Sequence, residues 1–340
     1  MPSPTKILYE AKKPRPGTVI FTSATSFAIV ASAFWVPLAF AWSARRIVSM
    51  DEKNSDEEEA LERKKTERKK KKRRAIGIFI LCAILAWMPI RRWRWLHQLS
   101  VWDIWFEHLQ VKVIGEEPPR RQLLYAIVPH GVFPFSLGFA ALGHLREKIF
   151  RLERIIVANA VMWVPVLRHI AGWLGVIQAD REKVSAALSS GATVAVAPGG
   201  IGEMFYPRPG CPPDHEYALL RQRKGFIRMA LQHGVPLVPV YVFGSNQLLR
   251  RLPMPAIVER FSRYIQASLV VPFGRWGLPI PFPVPLLYAI GDPIDVGLPS
   301  TNPSDAQVDG LHARFCDALV DLFNKHRHEY GWGHKELRLV

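Results

Sequence analysis

Cysteine is scarce in this 340-residue chain: Cys82, Cys211 and Cys316 form an odd set with no CxxC spacing. Such a set points to neither a thiolate zinc site nor a disulfide framework, and it fits a reducing compartment. Several catalytic signatures are missing as well. There is no GxSxG elbow, no Walker A loop, no HExxH helix and no GxGxxG fingerprint, which argues against ordinary serine hydrolase, P-loop, zincin and dinucleotide chemistry. Acidic side chains are in deficit, 29 Asp and Glu against 45 Lys and Arg, for a net charge of +16. The excess is uneven: ten of the twelve residues from Arg63 to Arg74 are Lys or Arg. No internal repeat is visible.

What the chain does have is apolar and aromatic character, with 49% apolar residues and 11 tryptophans. Val19 to Ala44 runs for 26 residues without a charge. About 20 apolar residues suffice to cross a bilayer, and the apolar core of a signal peptide spans only about 7–15. With no convincing cleavage site, a retained membrane segment is expected. Ala75 to Ile90 is shorter, 16 residues, and runs into "RRWRW"; that length fits a short crossing or a re-entrant or interfacial helix. The charged linker 45–74 between them has an acidic half and a basic half. Its position beside an apolar segment points to anionic lipid headgroups rather than nucleic acid, at roughly 1 kcal/mol per basic residue. The positive-inside rule places this linker in the cytosol. The rest of the chain is then cytosolic if the second segment does not cross, whereas a hairpin of two crossings would make the linker lumenal. Residues 1–95 are thus expected to be a membrane anchor of one or two hydrophobic helices (19–44 and 75–90).

From residue 96 to 340 the pattern is that of an α/β domain. "LLYAIVP", "RIIVANAV", "ATVAVAPGG", "PLVPVYVFG" and "LLYAIGDPI" are short apolar runs bounded by Pro or Gly, as expected of strands buried on both faces. Arg181 to Gly191 and Leu219 to Gly234 predict amphipathic helices, the second closed by Gly234. A final helix is expected over about Asp305 to Glu329, with Val308, Leu311, Phe315, Leu319 and Leu322 on its core side. Alternation of this kind predicts a sheet flanked by helices. Arg275 to Pro285 holds four prolines and so forms no helix or central strand; it lines a lipid entrance or serves as a stiff connector.

Three stretches could carry chemistry. His130 is the one ionisable side chain in "YAIVPHGVFPFSLGFAALG", Tyr125 to Gly143. A core histidine with a backbone partner is the ordinary occupant of such a place, and no carboxylate is near it in sequence. A literal His-x4-Asp, the base–carboxylate pattern of glycerophosphate-type acyltransferases, does occur at His312 and Asp317. On a helix, five positions turn the two side chains roughly 140° apart, so this pair is a decoy. The second stretch is "APGGIGEMF", Ala197 to Phe205, where Gly199 and Gly200 leave backbone N–H groups open to a ligand and Glu203 follows. The third is the basic set Arg221, Arg223, Lys224 and Arg228, suited to phosphates or simply to a solvated helix face.

Taken in order, "PHG", "LRHIAGWLG", "APGGIGE", "RKGFIRMALQHGVPLVPVYVFGSNQ", "SRYIQASLVVPFGRWGLPIP" and the ending from His312 resemble the type-2 diacylglycerol acyltransferase family, closest to its plant and algal branch. The resemblance runs from Leu96 to Val340. The family's His-Pro-His-Gly, or Glu-Pro-His-Ser in many plants, is here Val128-Pro129-His130-Gly131, so the first polar residue is lost. The resemblance implies transfer of a fatty acyl group from acyl-CoA to the hydroxyl of diacylglycerol, with acyl-CoA as co-substrate and no metal or redox cofactor. It implies His130 as general base with Glu203 as its orienting or charge-stabilising partner, and Gly199 and Gly200 amides as oxyanion donors. Arg223 and Lys224 would take CoA phosphates, and Pro129, Gly131, Phe133 and Asn246 would contact substrate, with acyl chains on the apolar face from Phe133 to Phe139. Membrane lipid is the other partner implied; a homo-oligomer is left open. The implied location is the endoplasmic reticulum membrane and the lipid droplet, with the catalytic domain facing the cytosol. Monoacylglycerol, a long-chain alcohol or a sterol remain alternative acceptors, and a non-catalytic lipid-surface protein is the alternative of another class, supported by Val128.

Overall fold

The run Leu124–Val128 decides the layering. All five residues are buried, and in a strand successive side chains point to opposite faces. Tyr125 and Ile127 enter one apolar core; Leu124, Ala126 and Val128 enter a second. A strand buried on both faces lies inside a sheet covered by helices on both sides. The computed structural model, which describes residues 5–51, 61–93, 95–208, 210–265 and 269–340, shows that arrangement.

The strands are β1 (Ile7–Glu10), β2 (Lys112–Gly115), β3 (Leu124–Val128), β4 (Arg154–Val157), β5 (Val176–Gln178), β6 (Val194–Val196), β7 (His215–Ala218), β8 (Leu237–Phe243), β9 (Arg250–Arg251), β10 (Pro272–Phe273), β11 (Leu287–Ile290) and β12 (Glu336–Leu339). Among the described residues, one sheet has eight strands in the order β1-β2-β11-β8-β3-β6-β4-β5. From β8 to β5 all neighbours are parallel. β11 runs antiparallel to β8, and β1 antiparallel to β2. The helices are α1 (Thr18–Val30), α2 (Ser32–Asp51), α3 (Leu61–Trp87), α4 (Asp103–His108), α5 (Phe135–Ala140), α6 (Pro165–Trp173), α7 (Arg181–Ser189), α8 (Gly200–Glu203), α9 (Gly225–His233), α10 (Ala256–Tyr264) and α11 (Asp305–His326). Buried side chains of α7, α9 and α11 fill one core, and those of α4 and α5, with Val30 of α1, fill the other.

Local chemistry explains the helix ends. Asp180 caps α7 by accepting from the amides of Glu182 and Lys183. Ser304 and Gln307 form a reciprocal capping box at α11. Gly234 closes α9 in the left-handed region, φ 63°. The five apolar positions expected on the core side of α11 are all buried. The helix expected from Leu219 begins only at Gly225. The amides of Leu220 and Arg221 donate instead to the Val340 carbonyl, and that of Leu219 to Glu203, so these residues lie outside the helix and lead into a turn at Arg221 and Gln222.

The N-terminal region departs from the expectation of a single span over 19–44. The run is broken into α1 and α2, bent by 67°. Among the described residues no single helix is long and apolar enough to cross a membrane; the bent pair passes by length and composition together. α3 joins the end of the charged linker to the second apolar segment in one helix. It packs on α2, with the rings of Phe40 and Phe79 stacked at 4.6 Å. Ahead of all three helices, β1 forms the edge strand of the large sheet, so part of the region expected to be anchor belongs to the α/β unit. α1 is inverted relative to a soluble amphipathic helix: Thr18, Thr22 and Ser26 are buried, and Ile20 is 76% exposed.

Phe323 of α11 is fully buried and packs against Tyr241 at 5.0 Å and Phe243 at 5.4 Å between ring centroids. Phe323→Ala is expected to cost about 3–5 kcal/mol of stability. The exposed neighbour change Asp321→Ala should stay within about 0.5 kcal/mol. Thermal unfolding of the purified variants checks the contrast.

Candidate active site

Three adjacent parallel strands bring the site together. β3 lies between β8 and β6, in register Ala126 to Val196 and Val128 to Tyr241. Their carboxyl ends therefore deliver Pro129-His130-Gly131, Ala197 to Glu203 and Gly244-Ser245-Asn246 to one edge of the sheet. In open α/β sheets that edge is where ligands bind.

Glu203 is 3% exposed and accepts two backbone hydrogen bonds, from the His130 amide at 2.8 Å and the Leu219 amide at 3.3 Å. The expectation that its carboxylate would orient the imidazole is corrected here: the carboxylate holds the backbone under the ring. The imidazole has its own acceptor, with Nδ1 2.8 Å from the Gly131 carbonyl oxygen. A carbonyl only accepts, so Nδ1 carries the proton and Nε2 is left with its lone pair. Burial lowers the His130 pKa below its ordinary 6.5, opposed by that backbone hydrogen bond. Burial raises the Glu203 pKa from 4.5 to about 7, opposed by the two amides and the charge of Arg223.

The glycines serve the carboxylate. A Cβ on Gly199 would stand 2.5 Å from Oε2 of Glu203, and one on Gly202 would stand 2.4 Å from Leu219 and 3.1 Å from the Arg223 guanidinium. The Gly200 amide, expected to be an oxyanion donor, donates to the Ala197 carbonyl at 3.3 Å and is already occupied. Gly131 adopts φ +71°, and its missing Cβ would meet the Ser245 carbonyl oxygen at 3.0 Å.

A buried hydroxyl relay, which the sequence reading missed, fixes the turn from below. Ser245 Oγ donates to the Pro129 carbonyl at 3.1 Å and lies 3.1 Å from Ser136 Oγ. Tyr288 donates to the Ser136 carbonyl at 2.8 Å. Pro129 thus turns its carbonyl inward, where it anchors the turn. The signal available was a Gly-Ser pair closing a buried strand, passed over for the neighbouring Asn246. Val128 is wholly buried in the core beneath α11, which explains an apolar residue at that position.

Other expected residues separate. Arg223 is beside Glu203, but Lys224 is 2.6 Å from Asp309 and Arg228 2.8 Å from Asp305. Phe135 and Phe139 are core residues packed with Trp105, so the face from Phe133 to Phe139 is largely closed to an acyl chain; Phe133 is half-buried against Phe135. Asn246 donates to the buried Glu216 at 3.1 Å and also lines a cleft of about 1070 Å³ with Val132, Phe205 and Leu249. Phe282 and Val284 of the proline-rich loop line the same cleft. His312 is buried against the Leu220 carbonyl, 3.0 Å away, while Asp317 is exposed, as a decoy pair requires.

The arrangement presents a desolvated neutral imidazole two residues along the chain from Val132, which lines a large, partly apolar cleft. Comparison with known proteins agrees with that chemistry. The family model described as diacylglycerol acyltransferase matches residues 87–340. Human acyl-CoA wax alcohol acyltransferase 2 is 31% identical and human 2-acylglycerol O-acyltransferase 3 is 30% identical, each over 71% of this chain and 75% of the relative. Human diacylglycerol O-acyltransferase 2 is 27% identical over 71% of this chain and 66% of its own length. A solved structure, the 1-acyl-sn-glycerophosphate acyltransferase PlsC of Thermotoga maritima, aligns over 88% of this chain and 98% of its own at 14% identity and a TM-score of 0.37, too distant to carry anything over. On the family match and the two relatives at 30% identity or more, this chain belongs to the diacylglycerol acyltransferase family.

Proposed function

We propose that this protein is an acyl-CoA:diacylglycerol O-acyltransferase that forms triacylglycerol and free CoA, with His130 as general base. The observation that carries this reading is the imidazole itself: Nδ1–H committed to the Gly131 carbonyl, Nε2 free, and burial holding the ring neutral. An alcohol is a poor nucleophile while protonated. His130 Nε2 takes the hydroxyl proton as the oxygen attacks the thioester carbonyl. The C–S bond then breaks, the thiolate leaves as CoA after recovering that proton, and an ester remains. Glu203 is a positioning residue, acting on the backbone of His130.

The family model, described as diacylglycerol acyltransferase, supports a two-chain acceptor. Relatives named for wax alcohol and for 2-acylglycerol are at least as similar as the one named for diacylglycerol, so a long-chain alcohol or a monoacylglycerol is the second reading. We also place the protein on the endoplasmic reticulum membrane or lipid droplet, with the catalytic domain cytosolic. The inverted α1 supports this, as do the exposed Phe34, Leu38 and Trp42 of α2 and the exposed Trp87, Trp93 and Trp95.

Microsomes from yeast unable to make triacylglycerol test the acceptor. With labelled oleoyl-CoA and diacylglycerol, monoacylglycerol and hexadecanol in parallel, triacylglycerol is the expected product, and labelled wax ester instead would overturn the acceptor. His130→Ala should lower kcat by about 10²–10⁴ while leaving membrane association unchanged. The wild-type kcat should rise with pH through two groups, an imidazole below 6.5 and Glu203 near 7; Glu203→Gln should remove the upper step and keep the lower one. The same carboxyl binds its proton more tightly folded than unfolded. Its stability contribution is therefore complete below about pH 4.5 and lost as pH rises through about 7, a slope that Glu203→Gln should flatten in thermal melts. Gly199→Ala, which drives a methyl into the carboxylate, should cost activity at least tenfold (about 1.4 kcal/mol) with the fold retained.

A further inference from the structure

The basic residues that face the cleft are not the ones singled out by the sequence. Its walls carry Arg208, Arg250, Arg251 and Arg260 against one carboxylate, Glu259: four charges less one, a surplus of three. Arg208 is 2.6 Å from Glu259 and partly neutralised by it. Arg251 is half-buried and donates to the carbonyls of Phe205, at 2.8 Å, and Pro207, at 3.3 Å; these fix the guanidinium without balancing its charge. Arg250 and Arg260 are exposed and have no ion-pair partner among the described residues. Arg250 lies over the Phe282 ring at 5.4 Å, which steadies the plane of its guanidinium while leaving the N–H edge free.

Unbalanced guanidinium groups on the walls of one cleft focus a positive potential into it. They suit a multiply charged anion, because each can grip a phosphate through two parallel N–H bonds. The rest of the lining is of opposite character: Phe205, Leu249, Met254, Phe282 and Val284 are apolar. A ligand that matches both has a polyanionic head and a long apolar tail. Val132, two residues from His130, also lines the cleft, so the reactive carbon of such a ligand belongs between head and tail.

We infer that the phosphates of acyl-CoA bind Arg250 and Arg260 at the mouth of this cleft, backed by Arg251, and not the Arg223–Lys224 pair. The inference rests on the acyl-CoA reading of the site. Lys224 and Arg228 face the carboxylates of α11, and the Arg223 guanidinium lies beside Gly202, next to Glu203 in the chain. The acyl chain follows the apolar lining, and the thioester lies towards His130.

The test uses the full chain in detergent micelles, as wild type, Arg250→Gln/Arg260→Gln and Arg250→Lys/Arg260→Lys, with folding checked by thermal melts. Calorimetry gives the Kd for free CoA, and kinetics give KM for oleoyl-CoA and for oleoyl-3′-dephospho-CoA. The glutamine pair should raise the CoA Kd and the oleoyl-CoA KM by about tenfold or more, with kcat and the acceptor KM changed far less, and the lysine pair should recover part of the loss. The disadvantage of the dephospho donor seen in wild type should shrink in the glutamine pair. Folded variants with wild-type CoA Kd and KM would overturn the inference and leave the enzyme reading standing. Unchanged CoA parameters with a lost response to phosphatidic acid in vesicles would also overturn it, assigning the arginines to lipid headgroups. Wild-type protein that binds CoA through these arginines yet transfers no acyl group would support the inference and overturn the enzyme reading.

Discussion

A buried carboxylate with only backbone donors and one neighbouring guanidinium governs the geometry of the site. Taking Glu203 out of water is costly, and the amides of His130 and Leu219 with the charge of Arg223 offset that cost incompletely, which is why its pKa stands near 7. Other features follow from accommodating it. Gly199 and Gly202 lack side chains because the carboxyl group and the Leu219 and Arg223 side chains occupy the space. The chain from Leu219 to Lys224 stays out of the helix, with its first amide held by the carboxylate. One hydrogen-bonded pair of oxygens thus ties the end of β3, the turn after β6 and the entry to α9 into a single unit.

Within that unit the orienting work is divided. In a base–carboxylate pair one side chain sets both the tautomer and the position of the imidazole. Here the tautomer is set by a carbonyl one residue away, which is possible because Gly131 has a positive φ. Position is set by Glu203 above and by the Ser245–Ser136 hydroxyls below, gripping the amide of His130 and the carbonyl of Pro129. An aspartate on the same segment is therefore unnecessary, and the His312–Asp317 pair could be set aside from helical geometry alone. A carbonyl also leaves the imidazolium less stabilised than a carboxylate would. That keeps the neutral base populated where burial already disfavours the charged ring.

Much of this was readable in the sequence. The five apolar runs became five strands of the sheet, because continuous burial leaves a signal in composition. His130 and Glu203 stood out for the same reason, as polar groups where none is expected. What was hidden depended on strand order. Ser245 and Ser136 are ordinary residues until β8 is seen beside β3, and Arg250, Arg251 and Arg260 have no special spacing until β9 and α10 fold over one cleft. In the Arg223–Lys224 pair the sequence shows two adjacent basic residues but not Asp309, 85 positions away from Lys224, which pairs with one of them. Edge strands such as β1 and short ones such as β5 leave no apolar run and were not anticipated.

The proline-rich loop links the N-terminal helices to the chemistry. Ser26 of α1 donates to the Pro279 carbonyl at 3.0 Å, and three residues on, Phe282 presents its ring to the cleft and its amide to the Leu248 carbonyl at 2.8 Å. A loop built from prolines transmits position well, since its backbone dihedrals are restricted. On the proposed reading the two substrates arrive from different phases, a polyanionic thioester from water and an uncharged glycerolipid from the membrane. On that reading the cleft meets both demands if its apolar side is held next to the N-terminal helices and its arginines stay open to water. Ser26 and the loop provide the first condition, and the placement of Arg250 and Arg260 on exposed positions provides the second. On the same reading the stiffness of the Arg275 to Pro285 segment is a functional property, because a flexible loop would let the apolar side of the cleft drift from the helices proposed to meet the membrane.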